Sequence, residues 1–232
     1  MKRICENGAF LIQGKYYLFN NLWGANTGAG SQCIWKGLSN QLDITWGTSW
    51  NWTGQHDTIK SYASVVWGWH WGWIVSDTGL PVQLISLHSL RTAWSFDLTC
   101  ARLGGINVTY DIWLSSNPDS GGKNPTGEVM IWLYHTGDIR PIGSRQTSLT
   151  IEDIEWDLWK GPHPVSAWPV YSFIRRINTK TQNLDLINFF QYLASAGLSD
   201  SDYLLSVQAG AEVFTGEGRL DTTFYSIDIE SL

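Results

Sequence analysis

Two glutamates sit in stretches that otherwise hold almost no charge. Glu128 lies in Gly127-Glu128-Val129-Met130-Ile131-Trp132-Leu133, and Glu212 in Val207-Gln208-Ala209-Gly210-Ala211-Glu212-Val213-Phe214-Thr215-Gly216. Both stretches are rich in apolar and β-branched residues and are bounded by turn formers, so both are predicted as strands. Strand side chains alternate between faces. Glu128, Met130 and Trp132 then share one face, and Val129, Ile131 and Leu133 the other. The aliphatic face suits a core, while a carboxylate, a thioether and an indole together suit contact with a sugar. Glu212 stands likewise with Gly210 and Phe214. Ionising a carboxyl among apolar neighbours is costly unless the group is paired or used. One such glutamate reads as a surface residue on an exposed sheet face. Two of them, with aromatic residues alongside, point to paired-carboxylate hydrolysis of a glycosidic bond. That chemistry needs one group ionised to attack the anomeric carbon and one protonated to release the leaving oxygen, about 5–5.5 Å apart in a retaining enzyme. The residues do not say which glutamate is which. Glu217 is a rival carboxylate, but Gly216-Glu217-Gly218 reads as a turn.

Positioning two carboxyls from distant parts of the chain requires sheets. Residues 9–22 read as two strands turning at Gly14-Lys15, with Trp23 at the strand end beside a glycine-rich loop, 24–30. Leu42 to Trp52 is predicted as a strand in which Ile44, Trp46, Thr48, Trp50 and Trp52 share a face. Further strands are predicted over Asn107–Leu114, Trp168–Ile177, Asp202–Gly210 and Leu220–Ile229. In Glu152–Trp159, Ile154, Trp156 and Leu158 alternate with Asp153, Glu155 and Asp157, the pattern of a half-exposed strand. Ser115 to Pro125 is a polar connection. The apolar spacing Leu184, Ile187, Phe190, Leu193 predicts one helix over Asn183–Ala196, with Asn183 or Asp185 at its start and Gly197 at its end. Many short strands with one helix make an all-β sandwich or jelly roll. The expectation is two antiparallel sheets, one helix on the outer face, and a single domain over 1–232.

Trp67-Gly68-Trp69-His70-Trp71-Gly72-Trp73 places four indoles at odd positions. If extended, it forms a continuous indole face, which either stacks sugars at a cleft edge or packs the core. His70 has no partner at metal-ligand spacing, and no metal or cofactor is predicted. Fifteen tryptophans with only 16% charged residues favour a carbohydrate partner, because indole faces match the apolar C–H faces of sugar rings. A net charge of −6 argues against nucleic acid, whose phosphates need a basic surface. No apolar run approaches the ~20 residues of a membrane helix. No Gly-x-Ser-x-Gly elbow and no glycine-rich phosphate motif is present. Asn51-Trp52-Thr53 and Asn107-Val108-Thr109 are glycosylation sequons, both in predicted strands.

Several of these stretches resemble glycoside hydrolase family 12. Residues 128–133, Glu-Val-Met-Ile-Trp-Leu, followed by Gly-Asp-Ile-Arg-Pro-Ile-Gly-Ser at 137–144, look like its nucleophile strand and the loop after it. Residues 210–216, Gly-Ala-Glu-Val-Phe-Thr-Gly, resemble its acid/base strand, and Asn20-Asn21-Leu22-Trp23-Gly24 its N-terminal substrate-binding stretch. The order is that of the family and covers nearly the whole chain. The resemblance implies a secreted, retaining, endo-acting β-glucanase or xyloglucanase with a jelly-roll fold. It implies Glu128 as nucleophile, Glu212 as acid/base, and Asp111 hydrogen-bonded to the nucleophile. It implies Asn21, Trp23, Met130 and Trp132 as substrate contacts, with Pro141 in a cord across the cleft. Trp-His-Trp at 69–71 stands where the bacterial branch has Cys-His-Tyr, which would bring His70 and Trp71 to the glycan. The family often bridges the positions of Cys5 and Cys33, leaving Cys100 as a buried free thiol. Departures occur at Ala211 and Val213, where Thr and Pro are common, and at His163, where Asn is usual. Met1–Ile4 lacks the apolar stretch of a signal peptide. The expectation is a mature secreted form with an added methionine and the signal peptide absent, acting as a monomer. The leading substrate is a cellulose-type or mixed-linkage β-1,4-glucan, with xyloglucan the close rival. A non-catalytic carbohydrate-binding module is the reading from another class, since fold alone does not imply function.

Overall fold

The computed structural model describes residues 2–39, 43–75 and 77–231. In chain order its strands are β1 (Ala9–Gln13), β2 (Tyr16–Asn21), β3 (Gly28–Ser39), β4 (Ile44–Gly54), β5 (Ser61–His70), β6 (Trp73–Ile74), β7 (Val82–Gln83), β8 (Leu87–Arg102), β9 (Ile106–Ser115), β10 (Gly127–Thr136), β11 (Ser144–Ile151), β12 (Ile154–Pro162), β13 (Pro169–Arg175), β14 (Thr181–Asp185), β15 (Tyr203–Val213) and β16 (Gly216–Ser231). One helix, α1 (Ile187–Ser195), stands between β14 and β15. The larger sheet runs β1-β2-β5-β15-β9-β10-β13-β12-β11, with β6 paired to β5 and β7 to β15. The smaller runs β14-β8-β16-β4-β3. The ladders are antiparallel apart from β10 with β13, where Glu128 pairs Val170 and Trp132 pairs Ile174 in parallel. Antiparallel neighbours can be joined by a hairpin, whereas a parallel return needs a longer crossover. Here the β11–β12 hairpin supplies it, turning at Glu152 and Asp153, whose φ angles of 54° and 60° suit a tight turn.

The alternation read around Glu128 holds. Val129, Ile131 and Leu133 enter the main core shared by the two sheets. Met130 and Trp132 belong to a separate apolar cluster with Trp168 and Val170. The β4 face of Ile44, Trp46, Thr48, Trp50 and Trp52 is wholly buried and turns into the sandwich. Nine of the fifteen tryptophans are buried, so core packing takes most of them and the tryptophan count by itself does not mark a sugar site.

Several boundaries differ from the sequence reading. The helix begins later, because Thr181–Asp185 pairs with β8 and places Asn183 opposite Ala93. Leu184 fits both a helical and an alternating pattern, and pairing along the edge of β8 decides it. Asp185 still serves the helix start, accepting from the backbone N–H of Ile187 at 3.3 Å. The inward side of α1, with Ile187, Phe189, Phe190 and Leu193, joins the main core, and Phe189 meets Trp156 and Phe173 edge-on. The segment read as a glycine-rich loop becomes β3 from Gly28 onward. A side chain at Gly30 would sit 1.9 Å from the Asn51 carbonyl oxygen, so only glycine lets β3 and β4 approach there. The structure adds β8, the partner of β16 along most of its length, in which Leu90, Thr92, Trp94 and Phe96 alternate inward. Of the predicted Leu42–Trp52 strand, Leu42 lies outside the described residues.

The indole run is not a single face. The strand ends at His70, Trp71 and Gly72 turn with φ of 49° and 91°, and Trp73 pairs back on His70. Trp67 enters the core, whereas Trp71 and Trp73 remain about half exposed. Cys5 and Cys33 form a disulfide that ties the N-terminal segment to β3. Cys100 is free and half-buried, and burial pushes its thiol up. Replacing both Cys5 and Cys33 by Ser is expected to lower unfolding free energy by about 3–4 kcal/mol through lost chain restraint. Denaturant titration of the oxidised parent against the double variant checks this.

Candidate active site

Glu128 projects from β10 opposite Trp113 of β9. Glu212 projects from β15 opposite Asn107 of β9 and Tyr62 of β5. β9 therefore lies between the two glutamate strands and adds Asp111 to the same surface. All three carboxyl side chains line one cleft of about 490 Å³. Its walls are chiefly aromatic: Phe19 and Trp23 from the N-terminal strands, Tyr62, His70, Trp71 and Trp73 from β5 and its turn, Trp113 from β9, and Trp168 ahead of β13. Asn21, His163, Val165 and Ser166 complete it.

Each carboxyl has its own donor. Trp168 Nε1 donates to Glu128 Oε2 at 3.1 Å. Asn107 Nδ2 donates to Glu212 Oε2 at 2.6 Å. Trp113 Nε1 donates to Asp111 Oδ2 at 3.0 Å, and Asp111 Oδ1 has no partner. The Asp111–Glu128 hydrogen bond implied by the resemblance is not formed; Trp168 takes that place.

Burial governs the charges. Desolvation pushes Glu128 up to about 7, against the Trp168 N–H, which favours the carboxylate. Glu212 is also pushed up to about 7, first by burial and further by the charge of Glu128, with the Asn107 amide opposing. Asp111 is raised well above the usual carboxylate range, by burial and then by the charges of Glu128 and Glu212. The two glutamates are thus close enough to feel one another. An ionised Glu128 favours a protonated Glu212 and a protonated Asp111. His70 is pushed down to about 3 by burial and stays neutral.

A model of the glycosyl hydrolase family 12 matches residues 14–230. The chain belongs to that family. The xyloglucan-specific endo-β-1,4-glucanase A of Emericella nidulans is 35% identical over 222 residues, covering 93% of this chain and 86% of the relative. The family 12 xyloglucanase of Bacillus licheniformis, solved in complex with ligand, superposes with a TM-score of 0.89 at 32% identity, covering 99% of this chain and all of that one. Trichoderma harzianum endoglucanase 3 superposes with a TM-score of 0.88 at 33% identity over 99% and 97% of the two chains. Members of family 12 from both fungal and bacterial sources are thus similar to this chain.

Of the residues singled out in this family 12 sequence, Glu128, Glu212, Asp111, Asn21, Trp23, His70 and Trp71 all meet in the cleft. Three others do not. Met130 is 6% and Trp132 2% exposed, both beneath Trp168 in the second apolar cluster, so Trp132 has no face left for a sugar. Pro141 stands outside the cleft wall, and its neighbours Asp138, Ile139 and Arg140 line a second cavity together with Phe214 and Thr215. Sequence reasoning missed Phe19, Tyr62, Trp113 and Trp168 as cleft residues; Trp73, from the indole run, and His163, one of the departures from the family, line it as well. Trp113 could have been found, since it shares parity with Asp111 on β9. Trp168 could not, because its approach to Glu128 depends on the parallel pairing of β13 with β10. Asn107, flagged as part of a sequon, is fully buried against Glu212. Glu217 is exposed within β16 and stands apart from the cleft.

These raised values set a direction for stability. The unfolded chain ionises its glutamates near ~4.3, whereas the folded chain holds the protons of Glu128 and Glu212 until about 7. Between those values the folded state binds more protons, so stability falls as pH rises and levels off above about 7. Glu128→Gln and Glu212→Gln are expected to melt roughly 5 °C above the parent at pH 8, with the gap closing toward pH 4. Calorimetric scans across that range measure it.

Proposed function

We propose that this chain is a retaining, endo-acting β-1,4-glucanase in which Glu128 is the nucleophile and Glu212 the general acid/base. The observation that carries this is the pair of buried carboxyls on neighbouring arms of one aromatic cleft, each with its own hydrogen-bond donor and with the charge of one raising the proton affinity of the other. In the first step a Glu128 oxygen bonds to the anomeric carbon. The glycosidic C–O bond breaks, and the Glu212 proton goes to the departing oxygen. In the second step Glu212 takes a proton from water, the water oxygen bonds to the anomeric carbon, and Glu128 leaves. Asp111, protonated beside Glu128, adds no second negative charge to repel the attacking carboxylate. Trp23, Trp71 and Trp73 keep exposed indole faces at the cleft and would stack glucosyl rings, while Asn21 and neutral His70 can meet hydroxyls. The main core, which draws residues from both sheets and the helix, supports a single catalytic domain. The Cys5–Cys33 disulfide supports an extracellular site of action. The reading takes a monomer acting on a neutral polysaccharide.

Xyloglucan is the second reading for the substrate. The Emericella nidulans relative is named as xyloglucan-specific and the Bacillus licheniformis structure as a xyloglucanase. The turn at Trp71–Gly72 leaves Trp71 and Trp73 at the cleft rim, where they could meet branch sugars rather than the backbone.

Glu212→Gln is expected to lower kcat on an unactivated glucan by about 10²–10⁴-fold. Glu128→Ala should abolish turnover, with azide restoring activity and yielding a glycosyl azide of inverted configuration. Wild-type turnover by Glu128→Ala would end the assignment, and absence of reducing-sugar release by the parent protein would favour a binding module. Rates on xyloglucan, mixed-linkage β-glucan and carboxymethylcellulose separate the two substrate readings. A preference of tenfold or more for one polymer names it.

A further inference from the structure

The donor to Glu128 is an indole that is itself clamped. Trp168 Nε1 reaches Glu128 Oε2, and the cleft wall holds no lysine or arginine among its described residues. The other titratable groups facing Glu128 are Asp111 from β9, Glu212 from β15 and Tyr62 from β5, none of them cationic. The Trp168 ring is only 9% exposed. His163 stacks on its face, with ring centroids 4.2 Å apart and planes 18° from parallel. Trp113 meets it edge-on at 5.7 Å. Met130 and Val170 pack with it in the second apolar cluster.

The loop between the two stacked rings is built to keep them together. His163 N–H donates to Trp168 O at 2.8 Å, and Ala167 N–H returns to His163 O at 2.9 Å. Ala167 has φ of 62°, a left-handed conformation rare for a residue with a side chain. His163 Nδ1 faces the backbone N–H groups of Val165 and Ser166, each at 3.4 Å. Those two donors favour an unprotonated Nδ1, with the ring proton on Nε2. Burial favours the same neutral form.

We propose that His163 and Trp168 act as a positioning pair, with the stacked imidazole fixing an indole whose N–H orients Glu128 and leaves Oε1 as its attacking oxygen. This rests on Glu128 being the nucleophile. The bond to Oε2 favours the ionised carboxylate, which attack requires. It also restricts rotation of the carboxyl, so that one oxygen faces the cleft while the other is engaged.

The test uses the full chain and three variants. Trp168→Phe keeps a ring in the apolar cluster and removes the donor. His163→Phe keeps a stacking ring and removes the contacts at Nδ1. His163→Asn keeps a polar acceptor and removes the stack. A 2-deoxy-2-fluoro-cellooligosaccharide with an activated leaving group reports formation of the glycosyl-enzyme. For Trp168→Phe, trapping and kcat should slow about 10- to 100-fold, as expected for loss of a hydrogen bond to a charged group, with KM within about twofold of the parent. The acidic limb of kcat/KM should move up by about one pH unit, because the carboxylate loses the donor that favoured it. His163→Phe should retain the parent profile, and His163→Asn should shift in the direction of Trp168→Phe. An unchanged acidic limb and trapping rate in Trp168→Phe overturns the proposal. So does a His163→Asn that matches the parent while His163→Phe does not, since loop capping rather than stacking would then be at work. If any variant melts far below the parent, peptide mapping and the pH profile of its folded fraction still give the two readouts. Mapping the label in the parent keeps the two readings apart: a label on Glu128 with a silent Trp168→Phe fails only the positioning pair, whereas a label elsewhere fails the nucleophile assignment.

Discussion

The structure is arranged around taking three carboxyl groups out of water with no lysine or arginine among the described residues of their cleft. Glu128, Asp111 and Glu212 are each less than a tenth exposed. Carboxyls in that setting hold their protons unless neutral donors favour the charge. The chain answers with two indoles and an amide. Trp168 and Trp113 give their N–H groups to Glu128 and Asp111, Asn107 gives its amide to Glu212, and the two indoles meet each other edge-on. With no lysine or arginine among the described residues of the wall, small differences in donor and neighbour decide which group ionises first. A double-displacement reaction needs that asymmetry, because one carboxyl must be bare while another keeps its proton.

The sheets exist to hold that arrangement rigid. β9 carries Asp111 and Asn107 and pairs on either side with the strands that bear the glutamates. A change in register on either side would send those side chains to the opposite face, where Val129, Ile131 and Leu133 now fill the core. The parallel return of β13 beside β10 adds what β9 cannot. It brings Trp168 to the same end of β10 as Glu128 and roofs the second apolar cluster. Met130 and Trp132, which share a face with Glu128, are consumed in supporting that roof. A strand face with the composition of a sugar platform thus became a foundation for the site instead of its surface.

A good part of this was readable in the chain. The 2.0-residue period around Glu128 assigned each neighbour to its face. Turn residues bounded β1 and β2, and the spacing of Ile187, Phe190 and Leu193 marked the helix. The carboxyls could be picked out because charge is conspicuous in an apolar strand. β8 is legible too, in the alternation of Leu90, Thr92, Trp94 and Phe96. The indole run of 67–73 was ambiguous in principle, since alternating glycine and tryptophan fits a straight strand and a reversal equally. The positive φ of Trp71 and Gly72 settled it, and that is a property of the folded backbone.

Local pattern fixed the elements, the faces and the identity of the charged groups, because side-chain period and burial cost act over a few residues. Which indole touches which carboxyl, whether a tryptophan is platform or foundation, and where the helix yields to the sheet edge were decided only in three dimensions. Each depends on pairing between segments far apart in the chain. No periodicity encodes that pairing, and only packing of the whole core selects it.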